Sequence, residues 1–336
     1  MCHTVSMSVQ LWHISELVRH MQVPMWVNVV IPVKNGARFI GDAVASALGQ
    51  PDVKRVIVVD DGSTDESAEI TARIGDPRVT LIQGAGRGVS AARNLGFAEI
   101  ERQASYDQAS DEECERGWIM FLDADDRLVP NATRVLLDNA PNDCVAVYGN
   151  YERIDASGHR IGRRSLLCRR GKPSGEILRD LLAGNFIVNG GVMLIRHAQF
   201  HRTGGFDETL RYCEDWHLFC KLAGVGPIVW CPRTTILEYR VHDNSAMMSR
   251  PLNFGHYRGA LERVFTDPMI VGKLGSSEAI RLRRKAEAHL KTYLACQAIR
   301  ARAYGRAMKE AAEVIALLPS QAPKTLAHAL GALAGL

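Results

Sequence analysis

Short, mostly apolar and β-branched runs alternate with stretches of helical spacing, and this alternation constrains the fold more than any other feature of the chain. Val27 to Pro32, Val53 to Asp60, Val79 to Ile82, Trp118 to Leu122 and Val145 to Tyr148 each read as a strand. Ala37 to Leu48, a segment capped by Ser63 or Thr64 and running through Ile74, Ser90 to Ile100, and Ala132 to Asp138 read as the helices between them. A strand without a polar face must be covered on both sides. The order βαβαβαβαβ therefore means an α/β fold, a doubly wound, mostly parallel sheet with helices on both faces. In such sheets a ligand lies beyond the carboxyl ends of the strands, where strand order reverses.

After Tyr151 the alternation stops. Residues 151–170 read as a hairpin or loop over the sheet, residues 174–183, 196–202 and 214–223 as helices, and residues 192–195, 227–230 and 236–241 as short strands. This mixed half would form the acceptor side of a cleft. Residues 102–116 read as an exposed acidic loop insertion. From Ser276 a helical tail continues the chain, with Pro319 and Pro323 as breaks. The expected organisation is a leader without order (1–24), a catalytic domain (25–245) and a helical C-terminal extension (246–336).

At 46% hydrophobic and 23% charged residues the composition is that of a globular protein, which excludes wholesale disorder. The chain has no apolar run of about 18 residues, the length a membrane-spanning helix needs. The eight cysteines form no CxxC pair, so buried thiols in a reducing compartment fit better than a structural zinc site. Residues 1–24 lack the continuous apolar core of a secretory signal, and a cytoplasmic location is expected. A net charge of +4 gives no argument for a nucleic-acid partner. The charge is uneven, however. From Arg281 to Lys309 nine Lys and Arg stand against one acid, Glu287, so this stretch is +8 and the remainder −4. Leu282, Ala286, Leu290 and Leu294 lay an apolar stripe along it. Two readings are open: a peripheral contact with an anionic membrane at its inner face, or a helix packed on the catalytic domain with its basic face outward.

The carboxylates are the chemical signal. Phe121-Leu122-Asp123-Ala124-Asp125-Asp126 ends a strand in three acids, which repel one another but suit a hard divalent cation such as Mg²⁺ or Mn²⁺. Asp60-Asp61-Gly62-Ser63-Thr64-Asp65 ends another, and its acids could accept from a nucleobase or ribose. Gly84-Ala85-Gly86-Arg87-Gly88 is not the dinucleotide fingerprint, because Val89 stands where the last glycine should be. The helix start behind it, with Arg87 and Arg93, favours an anion. Glu214-Asp215 opens a later helix, either as ordinary first-turn acids or as a general base. His242 ends the last strand, and it becomes a candidate ligand only if the fold returns it to the acids.

Taken in order, these motifs together with Pro32, Asn35-Gly36, Gly88-Val89-Ser90-Ala91-Ala92-Arg93-Asn94, Gly204-Gly205-Phe206-Asp207-Glu208 and Tyr239-Arg240-Val241-His242 resemble glycosyltransferase family 2, of the GT-A fold. The resemblance spans roughly residues 25–245. It implies Pro32, Asp60 and Asp61 as nucleoside contacts, Asp123 and Asp125 as ligands of the metal and donor diphosphate, His242 as a further metal ligand, and Asp215 as the base with Glu214 beside it. Arg87 and Arg93 join the expected donor-binding set. The implied reaction is an inverting, metal-dependent transfer from a nucleotide-diphosphate sugar to a saccharide or lipid-linked acceptor. Lys34 departs from the pattern, since the family commonly has an aromatic there. A nucleotidyltransferase stays open as an alternative, although Lys34 is the only cation before Arg38 in the loop that such an enzyme makes basic. A non-catalytic sugar-nucleotide-binding protein also stays open, although it would be expected to have lost Asp215 or the Asp123 and Asp125 pair.

Overall fold

The computed structural model describes residues 25–106, 117–161, 171–242 and 253–333. The leader, most of the acidic insertion and the second half of the 151–170 segment lie outside the described residues.

Four parallel strands form the first half of the sheet: β1 (Val27–Val33), β2 (Val53–Asp60), β3 (Val79–Gln83) and β4 (Trp118–Phe121). Every residue of β1 is buried, Asn28 among them, and β1 is flanked by β2 at Val30↔Ile57 and by β4 at Val30↔Phe121. Helices α1 (Ile40–Leu48), α2 (Ser67–Ala72) and α3 (Val89–Tyr106) connect them. The chain leaves β1 toward β2 on one side and returns to β4 on the other, so strand order reverses at β1. The loops after β1, β2, β3 and β4 therefore share one edge of the sheet.

Beyond β4 the sheet is mixed. β5 (Arg127–Leu128), β6 (Ala146–Ile154), β7 (Met193–Arg196) and β8 (Ile228–Arg240) complete the order β3-β2-β1-β4-β7-β6-β8-β5. β7 runs antiparallel to both β4 and β6. Helix α4 (Ala132–Asp138) comes after β5, and α5 (Leu178–Ala183), α6 (His197–Arg202) and α7 (Glu214–Val225) lie in the mixed half. The expected doubly wound, mostly parallel sheet with a mixed half is what is found.

Three local expectations need correction. Ser63 and Thr64 do not cap α2: the Ser63 hydroxyl accepts the Asn35 N–H at 2.9 Å, Thr64 donates its N–H to Asn35, and the Asp65 carboxylate takes the Ser67 N–H instead. α3 runs six residues past Ile100, because Arg102 and Gln103 each bind Glu99 on the same helix face. The two short strands 227–230 and 236–241 are one strand, β8. β8 bulges around the proline at 232, advancing five residues from Trp230 to Thr235 while β6 advances two from Tyr148 to Asn150. Two helices, α8 (Phe254–Val264) and α9 (Pro268–Val271), open the helical extension ahead of Ser276.

The tail consists of α10 (Ser276–Arg300), α11 (Tyr304–Leu317) and α12 (Ala322–Leu333). Leu282, Ala286, Leu290 and Leu294 are buried and belong to the same apolar core as the sheet. Burying a leucine contributes about 1.5–3 kcal/mol, so this stripe is taken up by the protein itself and is unavailable to a membrane. Lys291 is also withdrawn from the surface, paired with Glu313 of α11. Among the described residues no helix is long and apolar enough to cross a membrane.

α3 is the helix that couples the sheet to the acids at its edge. Arg93, Gly96, Phe97 and Ile100 share its buried face. A Cβ on Gly96 would meet Val30 Cγ1 of β1 at 2.4 Å, so glycine is what lets the helix lie close on the sheet. Gly96→Ala should lift α3 and destabilise the fold by about 1–3 kcal/mol, as overpacking does. Urea unfolding would measure it, and a variant as stable as the parent would show that the helix seats on other contacts.

Candidate active site

The shared edge of the sheet is a set of loops bound to each other. Beyond β1, Gly36 donates its N–H to Ser67 Oγ and Ala37 donates to Asp65, both at 2.9 Å. At the end of β2, Asp60 accepts the Ser63 N–H at 2.9 Å. Asp61 accepts the N–H groups of Arg87 at 3.1 Å and Gly88 at 2.8 Å, one on each oxygen, and so ties the loop after β3 to the end of β2. A Cβ on Gly84 would lie 2.8 Å from that carboxylate, which explains the glycine. Pro32 is buried within β1, and Lys34 is exposed just after it.

Arg93 is the centre of the site. The residue is only 5% exposed, and its guanidinium reaches Asp123 Oδ1 at 2.8 Å and Glu214 Oε1 at 2.9 Å. Burial alone would favour the neutral form, but Asp123 and then Glu214 overcome it and hold Arg93 firmly protonated. The Phe206 ring lies 5.0 Å from the guanidinium. The loop carrying Phe206 is held in turn by buried Lys221, which donates to the carbonyls of Thr203 at 2.7 Å and Gly205 at 2.6 Å. Asn94 clasps the same loop through the backbone N–H and C=O of Phe206.

Glu214 and Asp215 open α7 after Cys213, whose backbone is left-handed at φ 58°. The Asp215 carboxyl is pushed up to about 7, first by burial and then by the charge of Glu214, with Arg93 opposing. A carboxylate tuned close to neutrality is what a general base requires.

The strand end after β4 divides its three acids. Asp126 is buried and structural: it accepts the Arg240 N–H at 2.8 Å and Asn189 Nδ2 at 2.8 Å. Burial, then Asp125 and Asp123, raise its pKa well above the ordinary range. Asp125 lies 3.0 Å from His242 Nε2, so the fold does return that histidine to the acids. The ring of Phe39 supports both His242, at 4.9 Å, and Arg240, at 4.6 Å. Asp125 too is raised, by burial and then by Asp123, with His242 opposing. Among the described residues no three or more His, Cys, Asp or Glu side chains converge on one point where a metal would sit. The donor chemistry of Asp123 and Asp125 nonetheless suits a hard cation, since the mutual repulsion that raises Asp125 is what a divalent ion would relieve.

Asp123, Arg93, Glu214 and Asp215 are thus brought together, and Asp125 joins His242 beside them. Arg87 is not part of this cluster. It is exposed and pairs with Glu208. Asn189 and Arg240 were missed as site residues. Asn189 bridges Asp123 and Asp126 through one amide nitrogen while its carbonyl oxygen caps the turn at Gly191. In the sequence Asn189-Gly190-Gly191 reads only as a turn, although the glycines carry a hint: a Cβ on Gly190 would lie 2.8 Å from the Phe121 carbonyl. Arg240 lies inside the Tyr239-Arg240-Val241-His242 motif, and its guanidinium clamps the Asp125 carbonyl at 2.7 Å.

A family model described as glycosyl transferase family 2 matches residues 28–204. An uncharacterized glycosyltransferase of Rickettsia typhi is 28% identical over 256 residues, which cover 74% of this chain and 75% of that one. The succinoglycan biosynthesis protein ExoU of Rhizobium meliloti is 31% identical over 60% of this chain and 58% of its own. In three dimensions the fold resembles that of S. aureus TarS 1–349 in complex with UDP-GlcNAc, with a TM-score of 0.57 at 14% identity, over 92% of this chain and 89% of that one.

The raised pKa of Asp215 has a consequence for stability. An acid whose folded pKa lies above its unfolded one binds its proton more tightly in the folded state. It therefore costs stability as pH climbs from the ordinary carboxylate range through about 7. Asp215→Asn cannot ionise, so its melting temperature should exceed the parent's by a margin that widens from pH 4 to pH 8. A margin constant with pH would mean that Asp215 ionises normally.

Proposed function

Because the chain belongs to glycosyl transferase family 2, we propose that it moves a sugar from a nucleoside-diphosphate donor to a hydroxyl of a saccharide or lipid-linked acceptor, with inversion and with the help of a divalent cation. The observation that supports this most is the buried Arg93 bridge, which fixes the acid expected on the donor side, Asp123, against the helix end carrying the expected base. A nucleoside would lie against Pro32, Asp60 and Asp61 at the ends of β1 and β2. The fold's likeness to a protein held with UDP-GlcNAc makes a UDP-sugar the first donor to test. The 31% identity to a succinoglycan biosynthesis protein favours a saccharide acceptor in polysaccharide assembly.

In the proposed step the acceptor oxygen bonds to the anomeric carbon as the bond from that carbon to the diphosphate oxygen breaks. The acceptor proton passes to Asp215, and the electron pair leaves with the diphosphate. Asp215 is suited to this because burial and Glu214 make it basic near neutrality. Arg93 offsets the charges of Glu214 and Asp123 and keeps both in place, and Asn189 holds the second oxygen of Asp123. Mn²⁺ or Mg²⁺ would be held by Asp123 and Asp125 with His242 beside them, and when bound supplies positive charge to a departing diphosphate. Attack by the acceptor itself, with one carboxylate as base and no side-chain nucleophile, gives inversion.

Asp215→Asn should keep donor affinity and lower kcat by about 10²–10⁴. The parent's kcat/KM should rise with pH through about 7 as the base loses its proton. Turnover near that of the parent would move the base elsewhere. Asp125→Ala should fold normally and lose the rise in melting temperature that a UDP-sugar with Mn²⁺ gives the parent. An undiminished rise would remove Asp125 from the metal site.

A further inference from the structure

The stripe on α10 is inside the protein, yet the tail still exposes apolar surface elsewhere. On α11 Tyr304, Met308 and Ile315 are 48–74% exposed, and on α12 Leu326 and Leu330 are 58–62% exposed. The most exposed large apolar residues of the catalytic body, Val89, Leu95 and Tyr151, reach only 36–40%. At about 100° per residue, Tyr304, Met308 and Ile315 fall within roughly 40° of arc on α11, with Ala311 and Ala312 on either side. The adjoining side of the helix, Ala307, Glu310 and Val314, centred about 105° round from the strip, is buried. α11 is therefore apolar on its buried side and again on its outer side.

Charge tells what the outer side faces. The cations near it are Arg300 and Arg302 at the turn from α10 and the exposed Lys309 on α11 itself, whereas Arg306 lies on the far side of the helix. Arg302 is exposed and left-handed at φ 56°, two residues before Tyr304. The acids of α11 are turned away: Glu310 is buried and Glu313 binds Lys291 of α10. An apolar strip beside cations, its acids withdrawn, is complementary to an anionic lipid surface. A symmetric contact with a second copy would instead bring these cations against each other.

We infer that the outer face of α11, with Tyr304, Met308 and Ile315 as apolar anchors and Arg302 and Lys309 as flanking cations, lies on an anionic membrane surface. The inference is independent of the sugar-transfer reading, since none of these residues belongs to the acid cluster. Vesicle co-sedimentation of the full chain tests it. The parent should bind phosphatidylcholine vesicles containing phosphatidylglycerol, and bind vesicles of phosphatidylcholine alone at least tenfold more weakly. Met308→Ser with Ile315→Ser should weaken binding to the anionic vesicles tenfold or more while thermal unfolding stays unchanged, because both side chains are exposed. Arg302→Gln with Lys309→Gln should weaken it by at least tenfold at low salt and less at high salt, where the cations are already screened. Equal partitioning of parent and variants would overturn the inference, as would failure of the parent to bind anionic vesicles. A parent dimer in sedimentation velocity that Met308→Ser with Ile315→Ser dissociates would also overturn it, in favour of a second copy.

Discussion

One buried cation organises this molecule. Arg93 lies on the core side of a helix, where an arginine is costly unless it is paired, and its two partners come from distant parts of the chain. Asp123 stands at the end of a central strand and Glu214 at the start of a helix in the mixed half. Removing either acid would leave a buried charge half-satisfied, which is among the most destabilising things a substitution can do. The Arg93 bridge therefore couples the parallel half of the sheet to the mixed half at the candidate site. The close seat of α3 on β1, the Phe206 loop and the lysine beneath that loop all serve to keep this guanidinium where it is.

Much of the fold was legible because β1, β2 and β4 carry their whole environment in their composition. Seven buried residues in a row leave little choice of neighbours. The acids at 60–61 and 123–126 stand out in the sequence as like charges at strand ends, but only the fold divides them: Asp60, Asp61 and Asp126 accept backbone N–H groups, while Asp123 meets Arg93 and Asp125 meets His242. What escaped was whatever depended on a partner remote in sequence. The Asn189 amide has meaning only because the 189–191 turn is pressed against β4. From its helix start Arg93 reads as an anion-binding residue, although its spacing with Gly96, Phe97 and Ile100 already places it on the inner face. Residues 227–230 and 236–241 read as separate strands, yet β8 runs on through Pro232 by bulging against β6.

The tail shows the same limit. A stripe of Leu282, Ala286, Leu290 and Leu294 has one periodicity whether it meets lipid or protein, and only the surface opposite decides. Here that surface is the molecule's own core, which α8 and α10 help to complete with Tyr257, Leu261 and Leu294. Arg179 of α5 binds Glu278 near the start of α10, an exposed contact that adds little energy but matches the same seating.

The loops after β1, β2 and β3 are bound to one another by side chains that cap backbone N–H groups: Asn35 with Ser63 and Thr64, Asp65 with Ala37, Asp61 with Arg87 and Gly88. A nucleoside docking there, as proposed, would meet loops already tied to one another. Little conformational entropy would then remain to be lost on capture, so fit would decide affinity and encounter would run at the rate of rigid docking. Such a surface is also unforgiving. It cannot adapt to a second nucleotide by moving, so a change of donor must come through replaced side chains, with Lys34, exposed at its rim, the residue best placed to vary.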